Sequence, residues 1–432
     1  MIKKRILAYI ALALCLALCI AAYGLQTPAA QVPTPPVQSR PVQQLTESET
    51  TAQTVATTVT IAQTQPVATP EPATVAQPEK ATARIATVGD LMCHLKNLKA
   101  GYDRSTGTFE FSRFFDLVEP YIAIADYAVG NLETTLAEGD SLDDFTGFPL
   151  FKSPDAFAEA LADAGFDLLT TANNHMLDNG FTGLSRTLDV LDSLNVDHTG
   201  SARTREEAQT PLIVNINDIN FGFLAYTYKI NISRTPADMK AYCLNLYSLS
   251  KVKTDIAAAR EAGAEVVLVS LHWGPTENNT KPSGAFRKAV EELIKAGADG
   301  NLGHHPHVLQ PMEWVTVTRE NGEEVTCPVL YSQGNFHCNS AHEGNAKSAI
   351  TYLTFEKDAA NGKVRCTKMV AMPVYIYRIR TEPRDFLLIP IGLALDDEEY
   401  YKEIGLDVRS TLERGWDHIT KSLGDQVSIA RR

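Results

Sequence analysis

The chain repeatedly stops a short apolar run at residues that carry lone pairs. Arg84-Ile-Ala-Thr-Val88 ends at Gly89-Asp90, Ala125-Asp-Tyr-Ala-Val129 at Gly130-Asn131-Leu132-Glu133, and Phe166-Asp-Leu-Leu-Thr-Thr-Ala172 at Asn173-Asn174-His175. Glu265-Val-Val-Leu-Val-Ser-Leu271 ends at His272-Trp273-Gly274, with Glu277 close behind. Ala298-Asp-Gly-Asn-Leu-Gly303 leads into His304-His305-Pro306-His307, and the run 325–331 continues to Gly334-Asn335-Phe336. Runs of this length bounded by turn residues read as buried strands. In open α/β sheets, ligands bind just outside the carboxyl ends of the strands. Carboxylates, amides and imidazoles at so many strand ends therefore hold the chain to an α/β fold in which those ends converge.

Each cluster has a plainer explanation when taken alone. An Asp after a strand often caps a helix, and turn chemistry accounts for Asn173 and Asp178. A histidine closing a core strand, such as His272, is commonly structural. A loop such as 303–307 can be histidine-rich by composition. Repetition is what these readings leave unexplained. A turn gives His175 no role, whereas Asp178 at i+3 of a helical turn would orient its ring. Asn131 and Glu133, two positions apart, share one face of an extended chain. Asp90, Glu133, Asn174, His272, His305 and His307 are ligand types for borderline divalent ions such as Mn, Zn or Fe. No thiol sits among them, which excludes a structural zinc knot. They are more than one tetrahedral ion needs, and suit two ions about 3.5–4 Å apart that share a bridging carboxylate.

Periodicity predicts helices over 154–165, 182–194, 252–262 and 285–296, and a shorter one over 111–118. Hairpins are expected about Asp218 and Asn220, about Asn321-Gly322 and about Asn361-Gly362.

The first eighty residues are different material. Lys3, Lys4 and Arg5 precede a segment, 6–25, with no charged residue. A helix of that length rises about 30 Å, enough to cross a bilayer, and the basic flank places the remainder of the chain outside the cell. The segment is long for a secretory signal, which favours an uncleaved single-pass anchor. Ala22-Tyr23-Gly24 would serve as a cleavage site, and the protein would then be secreted. Cys15 and Cys19 each follow a leucine, so a lipoprotein site is not expected. Residues 26–82 are rich in Thr, Pro, Ala and Gln, contain no Phe, Trp or Tyr, and read as a disordered linker. As a flexible coil it spans roughly 40 Å. The globular domain is expected over 83–380, followed by an acidic helical extension over 381–432. Outside the anchor there are five widely spaced cysteines, which do not form a disulfide framework. A net charge of −13 argues against nucleic acid as a partner.

Taken together, Val88-Gly-Asp90, Gly130-Asn-Leu-Glu133, Ala172-Asn-Asn-His175 with Asp178 and Gly180, His272-Trp-Gly274 with Glu277, Gly303-His-His-Pro-His-Val308 with Gln310, and Tyr331-Ser-Gln-Gly-Asn-Phe336 resemble the CapA-type family of poly-gamma-glutamate and capsule biosynthesis proteins. That family is similar to a divergent branch of the calcineurin-like metallophosphoesterases. The resemblance covers about 84–377 and implies a four-layer αββα sandwich. It implies that Asp90 binds a first metal and Glu133 bridges. Asn174, His272 and His305 would bind a second metal, and His307 would reach back to the first. His175, oriented by Asp178, would be the proton donor, and Asn131, Asn173, Glu277, His304 and Asn335 would face substrate. The phosphoesterase Asp-x-His motif is absent, since Leu91 and Met92 follow Asp90, and His94 is a candidate replacement.

The function so implied is a membrane-tethered, metal-dependent hydrolase or transferase acting on poly-gamma-glutamate or another cell-envelope polymer, with other membrane subunits of a synthesis complex as candidate partners. A non-catalytic scaffold subunit and a plain phosphoesterase are the alternatives. A polyanionic substrate would require basic residues such as Lys152, Arg203 and Lys281 to gather at the cleft.

Overall fold

The computed structural model describes residues 80–231, 235–275, 277–339, 343–379, 385–397 and 408–431. The anchor segment 6–25 and the linker up to residue 79 lie outside the described residues. Among those described, no helix is long and apolar enough to cross a membrane.

The strands, in chain order, are β1 (Thr82–Leu91), β2 (Tyr102–Asp103), β3 (Thr108–Phe109), β4 (Tyr127–Leu132), β5 (Thr135–Ala137), β6 (Lys152–Pro154), β7 (Leu168–Thr170), β8 (Asp197–Thr199), β9 (Leu212–Ile216) and β10 (Ile219–Thr227). They continue as β11 (Val266–His272), β12 (Gly300–His304), β13 (Met312–Thr318), β14 (Glu324–Leu330), β15 (Asn335–His337), β16 (Lys347–Lys357), β17 (Val364–Ile379), β18 (Asp385–Pro390) and β19 (Ser428–Ile429). The larger sheet runs β18-β17-β16-β1-β4-β7-β8, with β15 also on β1 and β19 on β17. The smaller runs β13-β14-β12-β11-β10-β9. β2 with β3, and β5 with β6, form separate ribbons.

Alternation along the strands sets the layers. Ile85, Tyr127, Val129 and Leu168 of the larger sheet pack against Phe221, Phe223, Val266 and Leu268 of the smaller. On the other face of the larger sheet, Ala86, Val88 and Leu132 meet Phe157 and Leu161 of the helix Asp155–Asp163. On the other face of the smaller, Leu224, Val267 and Val269 meet Val252 and Ile256 of the helix Leu249–Glu261, and Val290 and Leu293 of the helix Gly284–Lys295. The result is helix, sheet, sheet, helix. β11 is buried along its whole length, as a parallel strand covered on both faces must be. Each large apolar side chain removed from water contributes about 1.5–3 kcal/mol.

The three hairpins form as expected, β9–β10, β13–β14 and β16–β17 all being antiparallel. Two stretches differ from the sequence reading. Residues 111–118 hold only a 3₁₀ turn, Ser112–Phe114, with a short helix, Glu119–Ile122, after it. Phe111, Phe114, Phe115 and Val118 are buried at the spacing of one helix face, but the backbone closes by bonds spanning three residues, Phe114 N to Phe111 O, Phe115 N to Ser112 O and Val118 N to Phe115 O, so the stretch winds as 3₁₀ and turn. The stretch 381–432, set apart on its charge, contributes β18, the helix Arg409–Leu423 and β19 to the same compact unit. Leu412, Ile419 and Leu423 of that helix are buried in the cluster between the sheets. Cys93, Cys243, Cys327, Cys338 and Cys366 are all free thiols.

Candidate metal centre

The parallel strands of both sheets deliver their ends to one place. On β1, Asp90 stands in register with Asn131 of β4 and Asn335 of β15. On β11, His272 stands in register with Thr227 of β10 and His304 of β12. Two glycines permit the crowding. A Cβ on Gly89 would lie 2.0 Å from the Gly334 carbonyl oxygen, and one on Gly303 2.1 Å from that of Tyr331. His305 and His307 both have left-handed backbones, with φ of 95° and 57°. For a residue with a Cβ each costs about 1–3 kcal/mol, strain that recurs at functional sites.

One group of polar atoms surrounds His272 Nε2. Asn174 Oδ1 lies 2.5 Å from it, His305 Nδ1 3.1 Å and Glu133 Oε1 3.4 Å. A single ring N–H serves only one of these. The second group surrounds Asp90. Asp90 Oδ2 is 3.0 Å from His307 Nδ1, and Oδ1 is 3.2 Å from His304 Nδ1 and accepts from Asn131 Nδ2 at 2.8 Å. Glu133 lies between the two, its Oε1 also 3.8 Å from His307 Nε2. Both Glu133 oxygens and His305 Nε2 are buried without a hydrogen-bond partner. A carboxyl with both oxygens orphaned among imidazole lone pairs is a poor hydrogen-bonding site and a good cation site. These residues fit divalent metal: the ligand atoms of Asp90, Glu133 and His272, and those of Glu133, His305 and His307, form two clusters compact enough to hold an ion.

Burial alone would raise the Asp90 carboxyl, but the imidazoles of His304 and His307 beside it hold it well below its usual range. Burial lifts Glu133 to about 8. Burial likewise pushes His272 well down, and His305 to about 2, so both rings are neutral as ligands must be. His307 goes the other way: burial opposes its charge, but Glu133 and Asp90 raise it to about 10.

Beside these clusters stands His175. Its Nδ1 donates to Asp178 Oδ2 at 2.7 Å, and the same oxygen accepts from the Phe151 amide at 2.8 Å. With Nδ1 protonated, Nε2 of the neutral ring is an acceptor, and Asn231 Nδ2 donates to it at 3.3 Å. The Phe151 ring stands edge-on to the imidazole at 4.7 Å.

The expected substrate contacts divide. Asn173 is structural here, donating to the Leu132 carbonyl at 2.7 Å and accepting from the His175 amide. Asn335 Oδ1 lies 2.9 Å from His307 Nδ1 and orients that ring, and His304 is turned to Asp90. Glu277 is exposed on the loop after β11, outside the buried clusters. His94 caps the short helix Leu95–Gly101 and packs edge-on to Phe151 at 4.9 Å, in neither ligand cluster. Arg203 is not available to a substrate, since Asp189, Asp192 and Glu207 hold its guanidinium. Lys152 is half-buried on β6, and Lys281 is exposed. Asn231 carried no sequence signal, because it follows no strand-end glycine and belongs to no cluster.

Two sheets that bring carboxylates and imidazoles together at their joined strand ends define an α/β sandwich with a candidate metal site. Within that class, the chain belongs to the family described as bacterial capsule synthesis protein PGA_cap, whose model matches residues 84–340. The capsule biosynthesis protein CapA of Bacillus anthracis is 27% identical over 274 residues, covering 61% of this chain and 62% of that protein. The PGA biosynthesis protein CapA of Bacillus subtilis (strain 168) is 26% identical over 254 residues, covering 56% and 61%. The match thus spans about three fifths of each relative's length. Among solved structures, the NAD nucleotidase of Haemophilus influenzae is similar at a TM-score of 0.42 and 13% identity, covering 82% of this chain and 58% of that one. The calcineurin-like phosphoesterase YfkN of Bacillus subtilis is similar at 0.40 and 13%, covering 68% and 90%.

Proposed function

We propose that this protein is a metal-dependent hydrolase or transferase acting on poly-gamma-glutamate or a related cell-envelope polymer, tethered outside the cell by its N-terminal segment. The observation that carries the metal reading is Glu133, fully buried with neither oxygen partnered, between His272 and His307. Asn174, His272 and His305 would hold one ion, Asp90 and His307 a second, and Glu133 both. Bound divalent ions polarise a carbonyl or phosphoryl oxygen. The chain supplies the rest. Asp178 fixes the His175 ring, whose Nε2 is the atom placed to take or return a proton at the reacting group. The names of the Bacillus relatives support the choice of polymer.

The test is elemental analysis of the manganese-reconstituted protein, with turnover of a γ-linked glutamate polymer followed on the same samples. Near two metals per chain are expected, falling in His305→Ala, with turnover lost in both His305→Ala and His175→Ala. Folded wild-type protein that takes up no metal would sink the proposal. Full metal content without turnover would favour a scaffold role in polymer synthesis.

A further inference from the structure

Residues 228–231, directly after β10, lie against the site. Tyr228 N donates to the His272 carbonyl at 2.9 Å, and Asn231 N to the Asn174 carbonyl at 3.2 Å. Asn231 Nδ2 reaches His175 Nε2, and the Thr227 hydroxyl donates to the Lys229 carbonyl at 2.9 Å. Tyr228 is further fixed by its ring, 4.7 Å from that of Trp273. The loop is therefore hydrogen-bonded to the three residues on which the metal and proton chemistry would centre. Lys229 lies in the middle of it.

Lys229 contrasts with five arginines of this acidic chain. Arg186, Arg203, Arg260, Arg287 and Arg319 each have carboxylate partners. Lys229 is half-buried, and among the described residues no carboxylate pairs with it. Its charge is felt at His305, where it opposes protonation. An ammonium without a carboxylate partner can meet an anion, and this one sits on a loop hydrogen-bonded to His272, Asn174 and His175. We propose that the Tyr228–Asn231 loop is a substrate clamp in which Lys229 binds an oxyanion of the substrate, a carboxylate or phosphoryl group next to the one that reacts. The inference rests on the metal-site reading for what reacts there, and adds the anion-recognising residue that the paired Arg203 does not provide. A chain bearing carboxylates at short intervals presents such a group beside every scissile bond.

Calorimetric titration of the full-length, manganese-loaded protein tests this, with a γ-linked glutamate oligomer and inorganic phosphate as separate probes and metal content measured on each sample. Lys229→Gln should weaken binding about tenfold or more, the value of one charge-assisted hydrogen bond. Lys229→Arg should restore most of it, and metal content should not change. Loss of oligomer binding alone assigns the clamp to carboxylates, and loss of phosphate binding alone assigns it to phosphoryl groups; either supports it. Equal affinity of wild type and Lys229→Gln for both probes overturns it while leaving the metal reading intact. A wild type that takes up no metal overturns the metal reading instead, and the same titrations on that metal-free chain then decide whether Lys229 binds the anion.

Discussion

A carboxyl buried as deeply as Glu133, with neither oxygen hydrogen-bonded, holds a proton unless a cation stands beside it. Burial sets Glu133 near 8; for His307 the Glu133 and Asp90 carboxylates outweigh burial and set it near 10. Both lie above the unfolded values of about 4.3 and about 6.5. Metal-free folding thus takes up protons at both groups. The stability they carry is present below the unfolded values and is lost as pH rises through the folded ones. A divalent ion displaces these protons, so its affinity has the opposite slope. Metal-free protein in chelator should melt at a higher temperature at pH 6 than at pH 9, and the rise in Tm on adding manganese should be larger at pH 9. An equal rise at both pH values would mean that neither group gives up a proton. At this scale the sequence marked the ligand types, because residues with lone pairs at strand ends are local features. It set His304 and Asn335 among the substrate contacts, whereas they are turned to Asp90 and His307, because that depends on partners far away in the chain. His337 shows the limit: it is a buried histidine among Phe114, Phe115 and Phe157, pulled by burial to about 4, and purely structural.

At the scale of elements, the site depends on strand ends passing closer than side chains allow. Gly303→Ala would drive a methyl group into the Tyr331 and Leu330 carbonyls, which are backbone and cannot turn aside. The expected cost is about 3 kcal/mol, the upper end for forced overpacking, read as a lower denaturation midpoint together with loss of metal. Gly322→Ala, in the β13–β14 turn, is the control: it meets nothing within 4 Å and bears only the backbone penalty of its φ of 85°. Such turns were legible in advance, since Asn-Gly between alternating apolar runs has one common outcome. The 111–118 region was not, since its phenylalanines point inward from an irregular backbone that only the surrounding aromatic cluster dictates.

Across the whole molecule, the family match ends at residue 340, yet the sheet that carries Asp90 is completed after it. β16 pairs with β1 from Thr82 to Thr87, β17 with β16, and β18 with β17. Charge made the C-terminal stretch look peripheral; its apolar residues, spaced to one helix face, pack between the sheets. A chain ending at Ile379 would lose β18, the helix Arg409–Leu423 and β19, and uncover the edge of β17 along six pairings. It should accumulate as insoluble or protease-sensitive protein, measured by soluble yield and limited proteolysis. A soluble, protease-resistant product would show the C-terminal elements to be dispensable.

β1 also gives the molecule a direction. The strand begins at Thr82 and reaches Asp90 near its other end, about 25–30 Å further on at the rise of an extended chain. Lys80 and Thr82 therefore stand at the foot of the strand whose head carries Asp90. A dye or bead coupled to the exposed side chain of Lys80 is held a strand's length from Asp90 and leaves the candidate site uncovered.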